Sequence, residues 1–131
     1  EKRNLLDVTE KSLYMGIDQA KVGNKLGEIS FAVQSHCESN GFSIVKDLCG
    51  HGVGKYLHEE PQVPNFGQKN TGPFLKNGMT LAIEPMVNMG SYKVKVNSDG
   101  WTVVAADGLP SAHFEHSIAI VDNKPEILTI C

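Results

Sequence analysis

The stretch CGHGVGKYLHEEP, Cys49 to Pro61, sets His51 and His58 seven positions apart (58 − 51) and packs glycines around the first of them. A surface turn needs one or two glycines and no imidazole. Closely spaced glycines let the backbone turn tightly and bring a side chain against another segment or a ligand. In that setting His51 can be a metal ligand, a general base, or a turn residue bonded to backbone. His58 can be a second ligand or the group that polarises a reacting carbonyl. Glu59 and Glu60 are more simply read as a brace for the loop. HExxH, GxSxG and P-loop patterns are all absent from the chain, which excludes a thermolysin-type zinc helix and gives no sign of a serine-hydrolase elbow or a nucleotide cradle.

Two glutamates extend the suspicion. In MTLAIE, Met79, Leu81 and Ile83 share one face of a strand, and Thr80, Ala82 and Glu84 share the other. Pro85 follows and holds Glu84 extended. HFEHSIAIV repeats the arrangement: Phe114, His116, Ile118 and Ile120 face one way, and Glu115, Ser117 and Ala119 the other. Each glutamate stands among small side chains, opposite a bulky apolar face that should pack on helices. Both can simply face water. If instead they converge with a histidine, they repel unless a cation lies between them. Oxygen ligands with one imidazole suit a borderline divalent ion such as manganese, iron, cobalt or zinc.

The elements that must position these residues follow from periodicity. Leu6, Leu13 and Ile17 fall near one face of a helix over about 4–20. Gly23-Asn24 breaks it. Leu26, Ile29, Val33 and Cys37 mark a second helix over about 25–39, stopped by Asn40-Gly41, with His36 read as structural. From about residue 42 the pattern is strand-like: Phe42 to Val45, Met79 to Glu84, Tyr92 to Val96, Trp101 to Ala105, His113 to Val121 and Ile127 to Ile130. Asp99-Gly100 signals a hairpin, and Pro61 to Asn77 reads as irregular loop. Helices first and a mostly antiparallel sheet after make an α+β fold. With 131 residues, 40% hydrophobic and 21% charged, the chain fits one domain with a real core. A net charge of −3 gives no case for nucleic acid, and no apolar run approaches a membrane span. Three cysteines without a CxxC pair argue against a disulfide framework and for a reducing, cytosol-like compartment. The start EKRNLL has neither a signal-peptide core nor an initiator methionine, so Glu1 is not expected to be the natural start and a targeting segment can lie upstream.

Three blocks, GHGVGKYLHEEPQVPNFG, NGMTLAIEPMVNMG and SDGWTVVAADGLPSAHFEHSIAIV, together closely resemble the methionine aminopeptidases, most of all the short bacterial and organellar type I form. The resemblance covers essentially all of residues 1–131. It implies a pita-bread fold, of which this chain is similar to the C-terminal half: two helices packed on a curved, mostly antiparallel sheet. It implies removal of the N-terminal methionine from nascent proteins, with two divalent ions (cobalt, manganese, iron or zinc) assisting peptide hydrolysis. His51 resembles the family's histidine ligand, and Glu84 and Glu115 its glutamate ligands, Glu115 being the bridging one. Glu84 would also shuttle the proton to the leaving amine. His58 resembles the histidine that contacts the substrate peptide group. Trp101 and Leu57 match the methionine pocket, where Leu57 replaces a common aromatic. His113 stands where a glutamine is usual.

Two aspartate ligands and a further histidine of the family have no match. Asp7, Asp18, Asp47, Asp99, Asp107 and Asp122 fit no such pattern. The resemblance therefore implies three of five ligands here, one tightly bound ion or none, and negligible turnover by this chain alone. The partners implied are the N-terminal half of the enzyme, as a second chain or a missing segment, the N-terminal methionine of nascent peptides, and the ribosome as a neighbour. No nucleic acid or membrane partner is implied, and the location implied is cytoplasmic, in a bacterium or an organelle. Two alternatives stay open. One is a proline-preferring aminopeptidase of the same fold, against which Trp101 and the FEH strand argue. The other is a non-catalytic pita-bread binding protein, against which the retention of His51, Glu84 and Glu115 argues.

Overall fold

A computed structural model describes residues 2–46, 49–53, 59–90, 94–96, 98, 103–105 and 107–129. Two helices come first, α1 (Lys2–Asp18) and α2 (Leu26–Ser39). The strands follow: β1 (Ser43–Ile44), β2 (Cys49–Gly52), β3 (Glu59–Pro64), β4 (Thr80–Ile83), β5 (Met86–Asn88), β6 (Val94–Val96), β7 (Val103–Ala105), β8 (Ser111–His113), β9 (His116–Val121) and β10 (Lys124–Ile127). Among the described residues every strand pairing is antiparallel. A five-stranded sheet runs β10-β9-β4-β2-β3, a three-stranded sheet runs β1-β5-β8, and β6 pairs with β7.

The helices lie on the sheet faces that alternation assigns to the core. Leu81, Ile83, Ile118 and Ile120 cluster with Leu13 and Ile17 of α1 and with Leu26 and Ile29 of α2. Phe114 packs on the same cluster, as its parity with Ile118 and Ile120 requires. A second cluster joins Leu5, Val8 and Cys37 to Ile44, Val87 and Ala112 of the three-stranded sheet.

On α1 the buried stripe is Leu5, Val8, Leu13 and Ile17 rather than one through Leu6, which is 47% exposed. Thr9 and Ser12, both fully buried, fill the gap and satisfy themselves on the backbone oxygens of Leu5 and Thr9. Periodicity of apolar residues alone misses a stripe that two hydroxyls complete. Leu5→Ala should therefore cost about 2–5 kcal/mol in urea unfolding. Leu6→Ala should stay within about 0.5 kcal/mol. Equal costs would contradict this assignment of faces.

The α2 stripe is as expected, and its end is well defined. Gly41, at φ +85°, takes the left-handed position after the cap residue Asn40. The Gly41 and Phe42 amides close on the carbonyls of Glu38 and Cys37, and Phe42 packs on the Cys37 cluster, completing a Schellman stop. His36 near this end has a buried Nε2 without a hydrogen-bond partner, and burial, helped by Lys11, holds its pKa below the usual value. Burial likewise pushes the Cys37 thiol up.

The strands differ from those expected in several places, and β2 and β5 are strands that the sequence reading does not name. Pro61 to Pro64 is not loop but the end of β3, held by pairing with β2. The last strand is Lys124–Ile127, because Asp122 and Asn123 both take positive φ and turn β9 tightly into β10; of the expected 127–130, Leu128 and Thr129 lie past it and Ile130 is outside the described residues. The long strand expected over 113–121 is two, β8 and β9, interrupted at Phe114 and Glu115. The paired segments Val94–Val96 and Val103–Ala105 match the expected hairpin, whose Asp99-Gly100 turn lies outside the described residues.

Candidate metal centre

The interruption at Phe114-Glu115 has a partner at Glu84-Pro85, and together they build the site. β4 pairs with β9 through Ile83 opposite His116, and β5 pairs with β8 through Met86 opposite His113. Both pairs belong to one antiparallel register, which runs through both sheets and sets Glu84 opposite Glu115. At that row both strands leave the five-stranded sheet and enter the three-stranded one. Pro85 has no amide hydrogen to offer a ladder, and its carbonyl accepts from the Phe114 amide at 3.3 Å. The crossing leaves the two carboxylates facing each other just beyond the sheet edge. The neighbouring row on the same face holds Ala82 opposite Ser117, small residues that leave the space between them open.

His51 enters from the third strand. It pairs with Ala82 on one side and Gln62 on the other, and the register shifts between His51 and Gly52, a bulge that re-aims a side chain. Gly50 makes this possible. A Cβ there would overlap the Ala82 carbonyl oxygen, so β2 can approach β4 this closely only with glycine.

His51 is 8% exposed, and its ring is fixed at both nitrogens. Nδ1 lies 2.9 Å from the Gly52 carbonyl oxygen. A carbonyl only accepts, so Nδ1 carries the hydrogen and Nε2 of a neutral ring presents its lone pair. That lone pair faces Glu84 Oε2 at 2.9 Å. Two electron-rich atoms at this distance require a proton or a cation between them. His51, Glu84 and Glu115 each place a ligand atom within 4.8 Å of the other two. Two carboxylates at this separation repel by roughly 1 kcal/mol in water and 3 kcal/mol in a protein-like medium. Bonds of about 2.1 Å put any two ligands of one ion within about 4.2 Å, so a small side-chain adjustment closes the set on an ion. The donor set fits a borderline divalent cation.

Other residues hold this arrangement. Asn65, 1% exposed, donates Nδ2 to the Glu84 backbone carbonyl at 2.9 Å and so ties β3 to the carboxylate's own backbone. His116, next to Glu115, is held at both ring nitrogens, by Tyr14 Oη of α1 at 3.0 Å and Thr129 Oγ1 at 2.9 Å. Thr129 Oγ1 also accepts the Ser117 amide. His113 Nε2 stands 3.6 Å from Glu84 Oε1. Neither Asn65 nor the Tyr14–His116–Thr129 chain was legible in sequence, because each contact joins segments far apart in the chain. The expected site residues His58, Leu57 and Trp101 lie outside the described residues.

Comparison with known proteins agrees with this chemistry. The family model for metallopeptidase family M24 matches residues 1–122. A methionine aminopeptidase of Clostridium perfringens is 56% identical over 130 residues, covering 99% of this chain and 52% of the relative. The crystal structure of methionine aminopeptidase from Thermotoga maritima superposes with a TM-score of 0.95 at 50% identity, covering 97% of this chain and 51% of that one. The corresponding structure from Rickettsia prowazekii gives a TM-score of 0.95 at 40% identity, covering 98% and 52%. The chain thus spans about half the length of the relatives it matches, and its α+β arrangement is that of the pita-bread fold. A family defined by metal-dependent peptide hydrolysis is also one in which a histidine lone pair aimed at converging carboxylates has an evident use, and this chain belongs to it: metallopeptidase family M24.

Proposed function

We propose that this chain is the C-terminal half of a methionine-removing metalloaminopeptidase, and that His51, Glu84 and Glu115 are its contribution to a dinuclear site for cobalt, manganese, iron or zinc. The observation that carries the reading is the His51 Nε2 lone pair, 2.9 Å from Glu84 Oε2, with Glu115 completing the group. The high identity to methionine aminopeptidases supports the reaction, and coverage of only 52% of the relative supports a half-site. Bound divalent ions supply Lewis-acid polarisation of the scissile carbonyl and raise the acidity of water.

The chain's own groups do the rest. His51 binds through Nε2, its tautomer set by the Gly52 carbonyl. Glu115 binds opposite Glu84. Glu84 would help to hold the ion and would pass the proton from the attacking water to the leaving amine. Its backbone is pinned by Asn65, so the carboxylate acts from a fixed position. By the resemblance, His58 would stabilise the developing oxyanion, and Leu57 and Trp101 would contribute to methionine recognition. The substrate is the N-terminal methionine of a nascent chain, which makes the ribosome a neighbour and the location cytoplasmic. Among the described residues no helix is long and apolar enough to cross a membrane.

The full-length polypeptide should release methionine from a Met-Ala-Ser peptide, lose that activity to a chelator and regain it with cobalt or manganese. The 131-residue chain alone should turn the peptide over negligibly. Equal rates for the two would refute the half-site, and chelator-resistant turnover would refute the metal role. Preference for an Xaa-Pro peptide would move the reading to the proline-specific alternative.

A further inference from the structure

Glu84 has an imidazole at each of its oxygens. His51 Nε2 lies 2.9 Å from Oε2, and His113 Nε2 lies 3.6 Å from Oε1. The register explains why. His113 and Glu115 sit two apart on one segment, Met86 and Glu84 two apart on the other, with His113 opposite Met86. Side chains two apart share a face, so His113, Glu115 and Glu84 all project from the same side. The His113 side chain is half exposed, on β8 at the edge of its sheet, whereas the Glu84 side chain is only 14% exposed. The imidazole can therefore swing while the carboxylate stays.

Two ligands bound to one ion at about 2.1 Å sit about 3.0 Å apart at a right angle and about 3.4 Å apart in a tetrahedron. The separation at Oε2 is near the first value, and that at Oε1 is slightly above the second. Each carboxylate oxygen of Glu84 thus faces an imidazole at close to the spacing a shared cation imposes.

We propose that His113 is a further metal ligand, binding through Nε2 a transition ion that Glu84 holds at Oε1. This rests on the metal reading of the site and deepens it. An imidazole gives the ion at Glu84 Oε1 a nitrogen donor where the carboxylate alone offers oxygen. It therefore favours nickel, copper and zinc over manganese, which is served well enough by carboxylates. His113 is absent from the group of three that converge within 4.8 Å, so it binds on the outer side of Glu84 rather than between Glu84 and Glu115.

The test uses the native full-length polypeptide and variants His113→Gln and His51→Ala. Copper(II) is added stepwise to saturation, and coordinated imidazoles are counted at each step by pulsed electron paramagnetic resonance. Nickel and manganese affinities are measured by competition. His113→Gln should remove one imidazole from the signal and weaken nickel at least about tenfold, a change of the size seen when a metal site loses a supporting group. Manganese should change by less than about threefold, since it draws little on imidazole. If His51→Ala lowers the imidazole count and His113→Gln does not, this inference is wrong and the metal site stands. If neither variant changes it, the metal site itself is wrong.

Discussion

Glu115→Gln is expected to weaken metal binding by more than about a hundredfold, beyond the usual cost of losing a group that merely supports a ligand. The methionine release proposed for the full-length polypeptide should fall with it, while the fold is left intact. Glutamine keeps the size of the side chain and removes its charge. Glu115 is exposed and lies in the break between β8 and β9. No core contact depends on it, and exposed substitutions of this kind stay within about 0.5 kcal/mol. Isothermal titration with cobalt or manganese, together with urea unfolding of the metal-free protein, separates the two effects. His51→Ala is a less clean version of the same test. It empties a buried position between three strands and releases the Gly52 carbonyl, so lost binding there mixes ligand loss with disorder of β2. Wild-type affinity in Glu115→Gln would contradict the convergence of the three ligands on one ion.

Gly50→Ala is expected to damage fold and site together. Its Cβ would overlap the Ala82 carbonyl oxygen, which is backbone in the middle of the five-stranded sheet and cannot rotate away. β2 must move off β4, breaking the pairs His51–Ala82 and Gly52–Leu81. Overpacking in a core commonly costs about 1–3 kcal/mol. A clash with fixed backbone belongs at or beyond the upper end. The same displacement carries His51 away from Glu84, which Asn65 holds in place. Urea unfolding should show a loss of about 3 kcal/mol or more, and metal titration a parallel loss of affinity. A Gly50→Ala protein with wild-type stability and affinity would mean that the close approach of β2 to β4 has no role in setting the site.

What the sequence showed of this site came from two short-range signals. Alternation in MTLAIE and HFEHSIAIV placed Leu81, Ile83, Ile118 and Ile120 toward the helices and left Glu84 and Glu115 on the other face, because side-chain parity is a property of each strand by itself. Glycines around His51 marked a close approach, because only a missing Cβ permits one. The crossing between sheets was not visible. It depends on the pairing of β4-β5 with β8-β9 in one register, a relation between segments some 30 residues apart (115 − 84 = 31). In the sequence Pro85 signals only an extended Glu84. Its second effect, interrupting the ladder where the strand changes sheet, needs the partner strand. An apolar pattern points Leu6 to the core because Thr9 and Ser12 do not register in it, although their hydroxyls are satisfied within the helix. β3 was hidden by its prolines, Pro61 and Pro64, which suggest loop but are tolerated at a sheet edge, where β3 lies. Asn65 follows that strand directly, so misplacing β3 also hid the residue that fixes Glu84.

On the proposed reading, His51, Glu84 and Glu115 share a cation. Anomalous diffraction from crystals of the full-length protein grown with manganese or cobalt tests it most directly. An anomalous peak is expected, bonded to His51 Nε2 and to carboxylate oxygens of Glu84 and Glu115, with the His51 Nδ1 bond to the Gly52 carbonyl retained. A fully loaded protein whose peaks lie elsewhere, with His51 and Glu84 still in direct contact, would contradict it.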